Sequence, residues 1–235
     1  MSDSTGSTES TIFTPEMVLI DVDGTLVDSV PDLAYCVDET MKHCGLPVRG
    51  EAAVREWVGN GAPRLVERAL ANELDGHPEP GLFERAMPVF MALYADNTSK
   101  RSCLYDGVIT GLDYLTSVEG LKVGCVTNKP AQFTHPLLKD MGIFDRFEII
   151  VSGDTLAEKK PHPLPLLHAA EQLGVSPENA LMLGDSKSDV KAARAAGFKI
   201  ICMSYGYNHG EDIRNYQPDA VIDSMAALTD LIKPR

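Results

Sequence analysis

The ten residues IDVDGTLVDS (20–29) place two carboxylates, Asp21 and Asp23, between an apolar run and a glycine. The run MVLID (17–21) predicts a buried strand, because strands buried on both faces form short continuous apolar segments. In open parallel sheets, ligands bind just beyond the carboxyl ends of the strands. An isolated D-x-D pair is more often part of a solvated loop, so its meaning depends on the rest of the chain.

Five further apolar runs alternate with amphipathic helical patterns after residue 104. The predicted strands are KVGCVT (122–127), EIIV (148–151), ALMLG (180–184), KIICM (199–203) and AVI (220–222). Helical candidates lie near 107–119, 131–141, 163–174, 188–196 and 224–233. This alternation is typical of βαβ units and predicts an α/β fold, with a Rossmann-like parallel sheet core and helices on both faces.

The segment between the first strand and residue 104 has only helical patterning, and no strand is expected in it. Ser29 can cap a helix that carries Pro31 in its first turn. Further helices fit 51–57, 63–74 and 82–96. The predicted organisation is a flexible leader (1–16), an α/β catalytic core (17–29 and 104–235) and an inserted all-helical cap domain (30–103).

Composition narrows the class of protein. The 235 residues include 21 Lys and Arg against 34 Asp and Glu, for a net charge of −13, and no basic cluster predicts a nucleic-acid or anionic membrane partner. No apolar run approaches the roughly 20 residues that span a bilayer. Five scattered cysteines without a CxxC pair favour a reduced, cytoplasmic protein. The chain is expected to be a monomer or homodimer.

Polar residues follow four of the predicted strands at the point where each strand ends. They are Asp21 and Asp23 after MVLI, Thr127 and Asn128 after KVGCV, Lys159 and Lys160 in the loop that passes through Asp154, and Asp185 and Asp189 after ALMLG. Because parallel strands end at one edge of a sheet, these side chains are predicted to converge there. Each alone could be a turn, a helix cap or a surface charge, but four together indicate one site.

The charges of this set limit its chemistry. Crowded carboxylates repel one another and require a cation, and an all-oxygen set suits Mg²⁺. Lys160 can add a second positive charge, while the Thr127 hydroxyl and the Asn128 backbone N–H can bind phosphate oxygens. The set therefore predicts phosphoryl transfer, in which one carboxylate of the D-x-D pair attacks phosphorus and the other handles protons.

The set resembles the haloacid dehalogenase superfamily, in its phosphatase branch, through DVDGTLVDS (21–29), TN (127–128), KKPHP (159–163) and GDSKSD (184–189). The resemblance implies that Asp21 is the nucleophile and a metal ligand, and becomes an aspartyl phosphate. It implies that Asp23 is the general acid and base and binds Mg²⁺ through its backbone carbonyl. Asp185 would be a further Mg²⁺ ligand, Asp189 a supporting carboxylate, and Lys160 the residue that neutralises charge.

Three further stretches suggest a substrate within that superfamily: DSVPDL (28–33), WVGNGAPRLVERAL (57–70) and SYGYNHG (204–210). They resemble members that hydrolyse 2-phosphoglycolate, a small phosphorylated metabolite, to glycolate and phosphate. A sugar or amino-sugar phosphate is an alternative substrate. A phosphosugar mutase is disfavoured because the stretch 30–34 holds no His or Lys. A non-catalytic module would be expected to have lost at least one motif residue, and a phospho-receiver domain would lack the helical insert.

The cap should contribute a positive or N–H-rich element, because 2-phosphoglycolate carries its own carboxylate. The loop Gly59-Asn60-Gly61 can bring backbone N–H groups close to a ligand, and Arg64 could pair with the carboxylate. Asn60, Gly61 and Arg64 are therefore candidate substrate contacts. The alternative is that the glycines merely join two helices and that Arg64 faces water.

Overall fold

The computed structural model describes residues 12–235. Its main sheet has six parallel strands, in the order β5-β4-β1-β6-β7-β8. These strands are β1 (Met17–Ile20), β4 (Lys122–Val126), β5 (Ile149–Val151), β6 (Ala180–Gly184), β7 (Lys199–Met203) and β8 (Ala220–Ile222). All six were expected from the apolar runs, and the predicted α/β fold class is confirmed.

Helices cover both faces of this sheet. The core helices are α5 (Val108–Ser117), α6 (Ala131–Asp140), α7 (Leu164–Leu173), α8 (Lys187–Ala196) and the short α9 (Leu228–Leu231). Along β1, Val18 and Ile20 belong to one buried cluster and Met17 and Leu19 to another. This alternation follows from the two-residue period of a strand, and it makes β1 the buried centre of the domain.

Four helices form the inserted cap: α1 (Val30–His43), α2 (Gly50–Trp57), α3 (Ala62–Ala71) and α4 (Leu82–Ala95). They pack around a second hydrophobic cluster, which includes Trp57 and Phe90 and extends to Phe133 of the core. The expectation that no strand lies between β1 and residue 104 is wrong. A two-stranded antiparallel ribbon, β2 (Val27–Asp28) and β3 (Cys103–Leu104), joins the cap to the core. Strands of two residues are too short to produce a hydrophobic period.

Both ends of the described chain differ from expectation. Residues 1–11 of the predicted leader lie outside the described part, but Phe13 is 7% exposed and bridges Ile232. Backbone bonds from Phe13 N–H to Leu231 O (2.8 Å) and from Lys233 N–H to Phe13 O (2.9 Å) fix this contact. The helix expected over 224–233 is also shorter, because a 3-10 turn spans Met225–Ala227 and the chain after α9 extends to meet Phe13. None of the described helices has the length and apolarity needed to cross a bilayer.

Candidate active site

The strand β1, inside the sheet, leads directly into the D-x-D pair Asp21 and Asp23. The ladder of β1 continues one residue further, where the Asp21 N–H donates to the Leu183 carbonyl (3.0 Å). The chain then turns at Gly24, which has φ +87°. A Cβ atom there would lie 2.3 Å from the Asp185 carboxylate, so glycine is required for the two loops to approach this closely. The turn thereby brings the ends of β1 and β6 together.

Asp185, which directly follows β6, is buried beside Asp21. Its carboxylate accepts hydrogen bonds from the Thr25 hydroxyl (2.8 Å) and the Tyr207 N–H (2.5 Å). The chain packs so closely around it that a Cβ atom at Gly206 would lie 2.1 Å from the Asp185 Cβ. These contacts fix the carboxylate with 2% of the residue exposed.

Lys160 supplies the positive charge of the site. Its Nζ lies 2.9 Å from Asp21 Oδ1, 2.7 Å from Asp189 Oδ1 and 2.7 Å from the Val126 carbonyl oxygen. Burial alone lowers the pKa of Lys160, but the carboxylates of Asp189 and Asp21 outweigh it, and the net shift is upward. The neighbouring Lys159 is exposed and donates to the Asn60 carbonyl (3.1 Å) instead. Lys160 is therefore the lysine that reaches the carboxylates.

Asp189 holds Lys160 in place. It lies in the first turn of α8, where its Oδ2 accepts the Ser186 N–H (3.0 Å) as one half of a capping box. The same oxygen also accepts the Ser186 hydroxyl (2.7 Å). Its Oδ1 is bonded to Lys160. Both carboxylate oxygens thus already have partners, an arrangement that suits the supporting role implied by the resemblance.

The buried carboxylates form a candidate cation site. Oxygens of Asp21, Asp185 and Asp189 lie within 4.8 Å of one another. Burial raises the pKa of Asp21 to about 7 and raises that of Asp185 well above its usual value. Because Lys160 offers one positive charge to three carboxylates, the all-oxygen set fits a hard divalent cation such as Mg²⁺.

Asp23 is held by Lys129, a lysine that was not predicted to belong to the site. Lys129 Nζ lies 2.7 Å and 2.9 Å from the two carboxylate oxygens of Asp23. The Ser29 hydroxyl also donates to Asp23 Oδ1 (2.6 Å) and makes no bond to the end of α1, so its expected capping role is wrong. With both oxygens engaged, the main-chain carbonyl is the part of Asp23 left for a metal.

Lys129 follows Thr127 and Asn128 in the loop after β4, and its side chain is only 3% exposed. Burial lowers the pKa of Lys129, but Asp23 and Tyr94 together outweigh this effect and the net shift is upward. The position of Lys129 could have been predicted, because a lysine two residues beyond a predicted strand end lies at the same sheet edge as Lys160. The lysine is therefore a charged member of the site.

Thr127 and Asn128 lie at the same edge. The Thr127 N–H continues the ladder to Val151 O (2.9 Å), and its hydroxyl accepts the Lys129 N–H (3.2 Å). The Asn128 amide donates to the Lys160 carbonyl (2.9 Å) and more weakly to Gly59 O (3.4 Å) in the cap. The structure thus brings both residues to the carboxylates, and their binding of phosphate stays a prediction.

A small cavity with about 50 Å³ of free space separates the carboxylates from the cap. Asp21, Asp23, Thr127, Asn128 and Lys129 line its core side, and Leu33, Val58, Gly59, Gly61, Ala62, Leu65 and Tyr94 line its cap side. Of the cap residues expected to contact substrate, Gly61 lies in this wall. Asn60 instead lines an open groove beside Lys159 and Lys160.

Arg64 is not brought to the cavity, contrary to the expected contact with substrate. Its guanidinium pairs with Glu67 (2.8 Å) and donates to the carbonyls of Gly76 (3.1 Å) and Leu74 (3.2 Å). Glu67 is three residues further along α3, and the two carbonyls lie in the turn after that helix. These contacts direct the guanidinium to the end of α3, and Arg64 does not line the cavity.

Arg64→Ala is expected to change kcat/KM for 2-phosphoglycolate by about twofold or less, the range of a substitution outside the site. The unfolding free energy should fall by about 1 kcal/mol as the hydrogen bonds to carbonyls are lost. Steady-state kinetics and chemical denaturation check both values. A tenfold rise in KM without loss of stability would restore Arg64 as a substrate contact.

A polar contact holds the cap against the core beside the cavity. Arg55 on α2 donates to both oxygens of Asp28 on β2 (3.1 Å and 3.0 Å), and the Tyr207 hydroxyl donates to the same carboxylate. His209 Nδ1 lies 2.7 Å from Glu56 O, and burial lowers the pKa of this imidazole. These contacts lie outside the carboxylate cluster and link the loop after β7 to the cap.

Comparisons with known proteins agree with this geometry. Residues 15–197 match the haloacid dehalogenase-like hydrolase family. A phosphoglycolate phosphatase of Nitrosococcus oceani is 65% identical over 218 residues, which cover 93% of this chain and 96% of that protein. A phosphoglycolate phosphatase of Thiobacillus denitrificans is 46% identical over 209 residues, or 89% of this chain and 92% of that protein.

Solved structures show the same fold. The crystal structure of a predicted phosphoglycolate phosphatase from Haemophilus somnus superimposes with a TM-score of 0.85 at 32% identity, and the match covers 95% of this chain and 99% of that one. The superfamily resemblance seen in the four motifs is thereby confirmed. The chain belongs to the haloacid dehalogenase-like hydrolase family.

Proposed function

We propose that this chain is a Mg²⁺-dependent phosphatase that hydrolyses 2-phosphoglycolate to glycolate and phosphate through an aspartyl-phosphate intermediate. The observation that carries the proposal is that Asp21 and Asp23, each paired with a buried lysine, open onto one small cavity beneath the cap. The substrate is the one named for the relatives from N. oceani and T. denitrificans. The small-metabolite partner, the cytoplasmic location and the monomeric or homodimeric state stay predictions.

Asp21 is the nucleophile in this proposal. Its Oδ1 accepts the Val22 N–H (2.7 Å) and lies 2.9 Å from Lys160 Nζ, whereas Oδ2 accepts no hydrogen bond from the residues that the structure describes. Oδ2 is therefore the oxygen free to attack phosphorus, and the bond to the glycolate oxygen breaks as the new P–O bond forms. Lys160, with Thr127 and Asn128, stabilises the charge on the phosphoryl oxygens.

Asp23 is the proton carrier. The leaving glycolate oxygen is a poor leaving group, so a proton from the Asp23 carboxyl must reach it as the bond breaks. The resulting carboxylate then takes a proton from the water that attacks the aspartyl phosphate. Its contacts with Lys129 and Ser29 hold the carboxyl in one orientation for both steps.

Mg²⁺, when bound by Asp21, Asp185 and the Asp23 backbone carbonyl, would supply a fixed positive charge to the phosphoryl oxygens. Asp189 takes part only through Lys160 and Ser186. In this proposal Lys160 pairs with the nucleophile, Asp21, and Lys129 pairs with the proton carrier, Asp23.

A sugar or amino-sugar phosphate is the second candidate. The cap residues that line the cavity are mostly apolar and offer few partners for ring hydroxyls, which disfavours such a substrate in this arrangement of the cap. A mutase would need a basic group to direct the phosphoenzyme toward a sugar hydroxyl, and the stretch 30–34 has none.

The substrate assignment is tested by measuring phosphate release with Mg²⁺ from 2-phosphoglycolate, hexose phosphates, amino-sugar phosphates and p-nitrophenyl phosphate. The expected result is a kcat/KM for 2-phosphoglycolate well above all others. Strong activity on a sugar phosphate with weak activity on 2-phosphoglycolate would overturn the substrate while keeping the chemistry.

The stabilising effect of Mg²⁺ should depend on pH. The pKa values of Asp21 and Asp185 are raised by folding, so the metal-free folded chain binds more protons than the unfolded chain, and its stability falls as the pH rises through about 7. The positive charge of Mg²⁺ compensates the negative charge of these buried carboxylates. Mg²⁺ should therefore raise Tm more at about pH 8 than at about pH 5. Each kcal/mol is worth about 2–4 °C in a domain of this size.

Differential scanning calorimetry with and without Mg²⁺ measures this difference. Asp185→Asn, which removes one of the two perturbed carboxyls, should abolish most of the pH dependence of the Mg²⁺ effect. Equal increases in Tm at both pH values in the unmodified protein would show that these carboxyls do not bind the ion.

A further inference from the structure

A buried hydroxyl in the cavity wall has no partner. Tyr94 on α4 is 1% exposed, and its ring packs against Phe90 and Phe133, with centroids 5.6 Å and 4.6 Å away. Its Oη is buried and forms no hydrogen bond with any residue that the structure describes. An unpaired buried hydroxyl costs about 1–3 kcal/mol, so a ligand that accepts its proton would recover that free energy.

Lys129 faces the same part of the cavity. Its Nζ lies 5.1 Å from the centroid of the Tyr94 ring. An ammonium has three N–H donors, and two of them are directed at the oxygens of Asp23. No hydrogen bond of ordinary geometry joins the third to residues 12–235, and the Tyr94 hydroxyl is close enough to affect the pKa of Lys129. Lys129 can therefore hold Asp23 and bind a second acceptor in the cavity at the same time.

Lys129 differs in charge from the other residues of the cavity wall. Among the described residues that line the cavity, it is the only one with a positive side chain. Most of the cap side is apolar, as at Leu33 and Leu65. Helix α3 also begins at this wall, at Ala62. The N-terminus of a helix is the positive end of its dipole and favours an anion.

From these contacts we infer that Lys129 and the Tyr94 hydroxyl form a second anion site, which binds the carboxylate of the substrate and selects phosphomonoesters that carry one. The inference rests on the proposed function, since it assigns the far end of 2-phosphoglycolate. The phosphate end lies at Asp21 and Lys160, and Asp23 lies between the two anions, next to the oxygen that joins them. Arg64, the residue expected for this task, points elsewhere.

The test compares two substrates of equal chain length, 2-phosphoglycolate and 2-hydroxyethyl phosphate, in which CH₂OH replaces the carboxylate. The readout is the ratio of their kcat/KM values. Lys129→Met should lower this ratio by about 10- to 100-fold, the range of a lost charge-assisted hydrogen bond. Activity on both substrates also falls because Asp23 loses its partner, and the ratio cancels that shared loss.

Tyr94→Phe is the second variant, and it keeps the test decisive if Lys129→Met fails to fold. It removes only the unpaired hydroxyl, so Tm should not fall, and the ratio should drop by about tenfold. Lys139→Met is the matched control, because Lys139 is exposed on α6 and lies over the Phe144 ring (4.9 Å) away from the site. Its ratio should stay within about twofold of the unmodified protein.

Failure of the inference is distinct from failure of the proposed function. If the unmodified enzyme prefers 2-phosphoglycolate but Lys129→Met and Tyr94→Phe leave the ratio unchanged, the carboxylate site is overturned and Lys129 only positions Asp23. If the unmodified enzyme shows no preference for 2-phosphoglycolate in the first place, the proposed substrate is overturned and the carboxylate site with it. A drop in the ratio for both variants supports the site.

Discussion

Asp21→Asn is expected to abolish phosphate release from 2-phosphoglycolate while the chain stays folded. An amide cannot attack phosphorus, and the substitution removes the one oxygen that is free to do so. The loss in kcat should be at least about 10⁴-fold, the scale seen when a nucleophile is removed from an enzyme. Stability should be kept or improved, because burial already disfavours the charge of Asp21. Phosphate release and a calorimetric Tm measure both effects.

A matched control is available at another strand end. Asp154 follows β5, is exposed, and accepts the Ala131 N–H (2.8 Å) away from the carboxylate cluster. Asp154→Asn should therefore change kcat by about twofold or less. Near-normal turnover by Asp21→Asn, with the control also active, would remove Asp21 as the nucleophile.

Asp23→Asn should show a loss that depends on the leaving group. For 2-phosphoglycolate the loss in kcat should be about 10²- to 10⁴-fold, the contribution of general acid catalysis. Acetyl phosphate is a small substrate whose leaving acetate needs no proton, so the same variant should lose far less activity on it. Rates on both substrates, corrected for spontaneous hydrolysis of acetyl phosphate, give the comparison.

This comparison separates acid catalysis from a structural role. Asp23→Asn also leaves Lys129 without its carboxylate partner, and a resulting distortion would reduce both activities alike. Equal losses on the two substrates would therefore contradict the role of Asp23 as the acid. A large difference between them can arise only if Asp23 delivers the proton to the leaving oxygen.

The core of the site could be predicted from sequence because each residue directly follows a buried strand. Asp21, Thr127 and Asp185 are fixed at one edge once their strands lie side by side, and strand patterns are local. Lys160 required the family resemblance, since the strand pattern alone did not separate it from Lys159. The structure separates them, because Lys160 reaches the carboxylates and Lys159 reaches the cap.

The cap side could not be predicted in the same way. Which face of α4 meets the core depends on how four helices pack around Trp57 and Phe90, so nothing near Tyr94 in the chain indicates that this residue lines the cavity. The direction of the Arg64 side chain was not predictable either. Its partners are local, but carbonyls at the end of a helix are not visible in a residue pattern.

In the proposed mechanism the phosphoryl group is transferred to Asp21 before water removes it. Rapid-quench mixing of the Mg²⁺-loaded enzyme with phosphorus-labelled 2-phosphoglycolate, followed by peptide mapping, detects this intermediate. We expect label on the peptide that contains Asp21, released by hydroxylamine, chased by unlabelled substrate and absent from Asp21→Asn. Full turnover with no labelled peptide, or with label on another residue, would contradict this mechanism.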